Sequence, residues 1–294
     1  MSNQVMYYSL KAGALLAKII PRTIGIRVLG FVGYWFGRLP TNLHKKIYRI
    51  QKVLTPDVST RILKRRAAQV ISSYAQYWWD VFYLSSKRSA DDINKILTTE
   101  GDAHYEEAKS IAKERNSGII IVLPHIGSWE IAGAWIANHG YPPVVVAERL
   151  KPPELFELFT KTRTQAGMTV IAHDDEPTKK LLQALNEEKL VCLVADRDIS
   201  KRGVEVEFFR KKKTLPAGPA ALALKTDSPI LPICTYLSYD GSVTLAFEKP
   251  ILAKDTNGES RNLEDIVQEV GKTMERQIAK DPSQWHVLSY EWSE

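Results

Sequence analysis

Ile119-Ile-Ile-Val-Leu-Pro-His-Ile-Gly-Ser-Trp-Glu130 joins five aliphatic residues to a proline, a histidine and the opening of a helical pattern. An apolar run without polar alternation is how a strand covered on both faces reads. Proline at 124 offers no N–H and closes the run. His125 then emerges at the carboxyl end of the predicted strand, and Ser128 stands where it would cap a helix starting at Trp129.

Downstream the texture repeats. Strands are predicted at Val144–Val146, Val170–Ala172, Leu190–Ala195 and Ile230–Ile233, with helices at Trp129–His139, Pro153–Ala166, Pro177–Glu188 and Gly218–Lys225 between them. This alternation predicts an α/β fold whose central sheet is mostly parallel and flanked by helices, with its functional residues at the carboxyl ends of the strands. An amphipathic helix over Leu263–Ala279 follows a polar loop, and Arg66–Leu84 reads as an aromatic-rich core helix. No repeat or long linker divides the chain, so residues 67–294 read as one α/β unit and residues 1–66 as its helical attachment.

The 294 residues are 44% hydrophobic and 25% charged, which excludes disordered, collagen-like and disulfide-scaffold classes. Cys192 and Cys234 lie in strand-like runs and read as core thiols. The net charge of +6 is unevenly spread. Residues 1–66 carry thirteen Lys or Arg against the single acid Asp57, a segment charge of +12, which leaves −6 for the rest. Such a field seeks an anionic partner. Apolar runs at Leu10–Ile20 and Ile24–Phe36, edged by lysines, arginines and aromatics, are too short and too charged to span a bilayer. They suit the interfacial plane of an anionic phospholipid membrane, and no nucleic-acid motif accompanies them.

His125 and Glu130 are the candidate catalytic pair. In one continuous helix an offset of five would turn them apart, but the strand-to-helix bend can bring the carboxylate back to the imidazole. A neutral imidazole so held removes a proton from an attacking hydroxyl, and backbone N–H groups at the helix start stabilise the developing oxyanion. The same spacing recurs at His286 and Glu291, where no strand precedes it and the histidine reads as structural. Ala147-Glu-Arg149, Arg163 with Lys161, and Ala195-Asp-Arg-Asp198 add charged residues to the same predicted sheet edge. They read either as parts of one cleft with His125 or as surface ion pairs.

Taken in order, His125-Ile-Gly-Ser-Trp-Glu130 with Ala132-Gly133, Ala195-Asp-Arg-Asp-Ile-Ser200, Gly203-Val-Glu-Val-Glu-Phe-Phe209, Leu215-Pro-Ala-Gly-Pro-Ala220 and Asp281-Pro-Ser-Gln-Trp-His286 resemble the bacterial lysophospholipid acyltransferase superfamily. The likeness is to its lipid A and phosphatidylinositol mannoside acyltransferase branch, and especially to the mannoside enzymes. The resemblance implies a glycerolphosphate-acyltransferase-like fold with N-terminal membrane-associated helices. It also implies transfer of a long acyl chain from acyl-CoA, as co-substrate, to a mannose hydroxyl of a glycolipid acceptor at the cytoplasmic face of the plasma membrane. His125 would be the base and Glu130 its orienting carboxylate; Glu148, Arg149, Arg163, Asp196, Arg197 and Asp198 would line the substrate cleft. Glu130 departs from the mannoside enzymes' usual Asp, and Arg210 to Lys213 is more basic than their usual turn.

Acyl burial gains about 0.8 kcal/mol per CH₂, so the chain needs a deep apolar pocket. Coenzyme A phosphates need cations, and Arg149, Lys161, Arg163 and Lys211 to Lys213 are the candidates. Neither a metal cluster nor a dinucleotide fingerprint is visible, so no cofactor is expected. A lipid A precursor acylated from acyl-CoA or an acyl carrier protein, a non-catalytic lipid-binding adaptor, and a hydrolase using water are the competing expectations.

Overall fold

The computed structural model describes residues 3–86, 88–173, 176–199, 201–289 and 292; Ser200 and Glu291 of the motifs above lie outside them. Four helices come first: α1 (Asn3–Ile19), α2 (Arg22–Gly37), α3 (Asn42–Leu54) and α4 (Thr60–Leu84). The short α5 (Ala90–Asn94), strand β1 (Leu97–Glu100) and α6 (Asp102–Glu114) lead into the alternating part. There β2 (Ile119–Leu123), α7 (Trp129–Asn138), β3 (Val144–Ala147), α8 (Pro153–Gln165), β4 (Thr169–Ala172), α9 (Pro177–Asn186) and β5 (Leu190–Val194) follow one another. A hairpin of β6 (Val204–Phe208) and β7 (Lys211–Leu215), then α10 (Gly218–Thr226), β8 (Ile230–Leu237), β9 (Val243–Phe247) and α11 (Leu263–Lys280), complete the chain.

The main sheet has seven strands in the order β1-β9-β8-β2-β5-β3-β4. Its pairings are parallel except β8 with β9. Strand β2 lies between β5 and β8, and all five of its residues are buried. Ile120 and Val122 join a core with Ile266, Val270 and Met274 of α11, while Ile119, Ile121 and Leu123 face Ile131 of α7 and Ala108 of α6. The period of two along β2 thus feeds two cores, which is why the run has no polar member.

Helix α2 packs against α4 through its glycines. A Cβ on Gly25 would lie 1.8 Å from the Trp79 ring, and one on Gly33 2.9 Å from the Ala75 Cβ. Small residues face α4, and beside the buried Ile26 the large apolar side chains of Ile24, Val28, Phe31 and Trp35 on α2 are exposed, Phe31 at 67%. Ile19 at the end of α1 is 82% exposed. No helix of the described residues is long and apolar enough to cross a membrane. The expected division at residues 66 and 67 falls inside α4.

The predicted strands and helices of the alternating region are found, most with ends shifted by a residue or two. The β6–β7 hairpin is an addition, turning on Phe209 and Arg210 at φ 52° and 60°.

Candidate active site

Register builds the site. Leu123 is paired with Val194, and the Ala195 N–H donates to the Leu123 carbonyl at 2.9 Å. The residues just past the two strand ends, His125 and Asp196, are therefore brought together. His125 Nδ1 lies 2.7 Å from Asp196 Oδ1, and the His125 backbone N–H donates to Oδ2 at 2.9 Å. The Trp285 indole N–H donates to the same Oδ2 at 2.7 Å.

The turn after β2 is held from several sides. Gly127 has φ 63°, and a Cβ there would sit 2.2 Å from the Thr235 carbonyl oxygen, so the turn requires glycine. Thr235 Oγ1 donates to the Ile126 carbonyl at 2.6 Å. Ser128 occupies the cap position of α7 but makes no cap bond; its hydroxyl donates instead to Asp80 Oδ2. Asp80 is also bound by the Arg22 guanidinium, at 2.6 and 3.0 Å, and Arg22 reaches the Gly241 carbonyl. The Gly127 N–H, one of the backbone donors near the helix start, is committed to the Gln284 carbonyl at 3.2 Å.

Glu130 does not steady His125. Its carboxylate accepts from Arg163 Nη2 at 2.6 Å and Nε at 3.0 Å, and from the Tyr77 hydroxyl at 3.1 Å. The physical reason is helical: Glu130 lies in the first turn of α7, facing α4 and α8. The indole of Trp129 fills the space beside the imidazole, 5.3 Å from it and perpendicular, while stacking on Tyr77 at 4.0 Å. The expected partner is thus replaced by Asp196, and Arg163 is tied to Glu130.

Burial alone would raise the Asp196 carboxyl, but His125, its backbone N–H and the Trp285 indole hold it down at about 2. An ionised carboxylate only accepts, so Nδ1 of His125 carries the proton and a neutral imidazole keeps its lone pair on Nε2. Asp196 is sealed from solvent while the His125 side chain is 28% exposed, so the imidazole reaches the surface and the carboxylate does not. Burial pushes the thiols of Cys192 and Cys234 up to about 12, leaving neither suited to nucleophilic attack.

The remaining expected residues are more scattered. Glu148 and Arg149 follow β3 and are exposed, with the Arg149 guanidinium 5.4 Å from the Phe156 ring centre. Arg197 is half-buried beside Asp196, and Asp198 accepts from the Gly203 N–H at 2.8 Å, closing the loop before β6. The basic turn does not act as a unit. Lys213 is buried with its Nζ 5.1 Å from the Trp292 ring centre, and Lys212 pairs with Glu205 at 2.7 Å. Sequence reasoning missed Trp285 and Ser128 as site contacts; the quoted Gln284-Trp285-His286 block held the signal, without the register that gives it meaning.

An apolar cavity of about 310 Å³ lies between α2 and α4, lined by Leu29, Val32, Phe36, Ile71, Tyr74 and Trp78 among others. Tyr74 is in ring contact with His286, which in turn contacts Trp129 beside His125.

A histidine held by a buried carboxylate at the carboxyl edge of a parallel sheet is geometry that suits proton transfer to or from a hydroxyl group. The chain belongs to the bacterial lipid A biosynthesis acyltransferase family, which it matches over residues 3–294. It is 28% identical over 297 residues to the phosphatidylinositol mannoside acyltransferase of Mycolicibacterium smegmatis, covering 99% of this chain and 93% of that protein. It is 29% identical over 259 residues to the protein of the same name from Mycobacterium tuberculosis (strain ATCC 25618 / H37Rv), covering 86% of this chain and 77% of the relative.

Proposed function

We propose that this acyltransferase moves a long fatty acyl chain from acyl-CoA to a mannose hydroxyl of a phosphatidylinositol mannoside, with His125 as general base. The observation that carries the mechanism is the 2.7 Å contact between His125 Nδ1 and an ionised, buried Asp196. Nε2 takes the proton of the acceptor hydroxyl as its oxygen attacks the thioester carbonyl. The tetrahedral intermediate collapses with cleavage of the C–S bond, and the thiolate leaves with the proton returned by Nε2–H. One ester and one free thiol result. Asp196 stabilises the imidazolium formed between these steps. Glu130 and Arg163 act as a buried strut that fixes α7 to α8, and Glu148 and Arg149 supply exposed polar contacts for acceptor or coenzyme A.

Membrane docking through α1 and α2 suits these substrates. Isolated exposed apolar residues are ordinary, but Leu15, Ile19, Ile24, Phe31 and Trp35 lie on consecutive helices near a +12 segment. The cavity between α2 and α4 opens near exposed Val32 and Phe36, so an acyl chain entering it need not cross water. Lodging there, the peripheral enzyme works at the cytoplasmic face of the membrane.

Mass spectrometry of total polar lipids incubated with the purified protein and palmitoyl-CoA tests this reading. A mass gain of one acyl group on a mannosylated phosphatidylinositol is expected. Acylation confined to a lipid A precursor, or achieved only from an acyl carrier protein thioester, would overturn the assignment of acceptor or donor.

A further inference from the structure

We propose that Trp285 is a positioning residue for the acyl transfer, its indole N–H fixing the Asp196 carboxylate that holds His125. The inference rests on His125 as the base. Trp285 lies 89 positions from Asp196 in sequence, yet its Nε1 donates to Oδ2 at 2.7 Å, as short as the bond the imidazole donates to Oδ1. Both residues are buried, at 1% and 0% exposure.

Packing against Phe208, Phe209 and Trp292 explains why an aromatic ring stands at 285. It does not explain the aim of the N–H. That aim is set by the chain on either side of the ring. Gly127 N–H donates to the Gln284 carbonyl, Ile126 and Trp285 form an antiparallel bridge, and His286 N–H donates to the His125 carbonyl at 2.7 Å. Gln284 is itself clamped to Leu237 by two bonds, at 2.8 and 2.9 Å, and Gln51 Nε2 donates to the Pro282 carbonyl at 2.9 Å. The C-terminal segment is therefore registered on the catalytic turn itself, and the indole is delivered to the carboxylate by the same strap that pins the base's backbone.

The other two donors both belong to His125, so the indole ties the His125–Asp196 pair to the strap; without it carboxylate and imidazole shift together. The titratable groups set against Asp196 are His125, from the turn after β2, and His286, from the strap, which burial holds neutral with a value near 3. Removing the indole donor leaves the carboxylate more basic, so the imidazolium keeps its proton to higher pH.

Trp285→Phe, compared with the wild-type chain in mannoside-containing vesicles, is expected to lower kcat about tenfold with little change in KM for acyl-CoA. The acid limb of its kcat/KM profile moves to higher pH. In an Asp196→Asn background the same substitution has a much smaller effect, because the group it acts through is gone. If phenylalanine fails to support folding, benzothienylalanine at 285 keeps the bicyclic shape and removes only the N–H. Wild-type kcat and pH profile in whichever variant folds, or an equal loss with and without the Asp196 carboxylate, would overturn the proposal. His125→Ala, run alongside, separates the two levels: full turnover there would instead defeat the assignment of the base.

Discussion

A carboxylate that is buried and ionised must be surrounded by donors, and Asp196 meets that demand with His125 and Trp285. Glu130 meets it with Arg163 and Tyr77. Two acids near one histidine therefore divide the work, and substitution separates them. Asp196→Asn is expected to lower kcat at least about 100-fold while the protein stays folded, since the amide still accepts from the indole. Glu130→Gln leaves the largely buried Arg163 without its counter-charge and is expected to cost about 3 kcal/mol of stability, read as a lowered Tm. A third residue gives a pH signature. Burial, and next the neighbouring His125, depress His286 from its ordinary 6.5 to about 3. The unfolded chain thus binds the extra proton first as pH falls. The contribution of His286 is complete above pH 6.5 and is lost progressively as the pH falls toward 3. Thermal unfolding across that window checks this, with His286→Phe expected to remove its share of the slope.

At the scale of elements, α2 carries an inverted pattern: glycines against α4 and large apolar residues toward solvent. Phe31→Glu with Trp35→Glu is expected to weaken flotation with anionic vesicles while leaving the unfolding free energy within about 0.5 kcal/mol of wild type, because exposed positions contribute little to the core. The same inversion shows where sequence reading works and where it stops. Apolar runs with proline and serine punctuation sufficed for β2, β3, β5 and α7, since these elements bury what their pattern says they bury. The β6–β7 hairpin escaped because its two-residue turn uses Phe209 and Arg210 at positive φ instead of Asn-Gly, the usual cue. The histidine was legible from its place after a strand. Its partner was not, because proximity in sequence favoured Glu130, whereas the pairing of Leu123 with Val194 favours Asp196. The paired strand ends put His125 beside a residue 71 positions away, beyond the reach of a local pattern.

Across the whole molecule, distant segments converge on the turn at 125–128. Helix α4 brings Asp80, itself neutralised by Arg22 of α2; the end of β5 brings Asp196; β8 brings Thr235; the C-terminal strap brings Trp285. The element that faces outward with its apolar side is thus joined through the buried Arg22–Asp80 ion pair to the turn that carries His125. The most direct test of the central claim is the rate of labelled acyl transfer from palmitoyl-CoA to mannosylated phosphatidylinositol in vesicles, for the wild-type chain and for His125→Ala. With folding of the variant verified, transfer is expected to fall by at least about 100-fold. Turnover in the variant equal to that of the wild type would contradict a mechanism in which this imidazole takes the acceptor's proton.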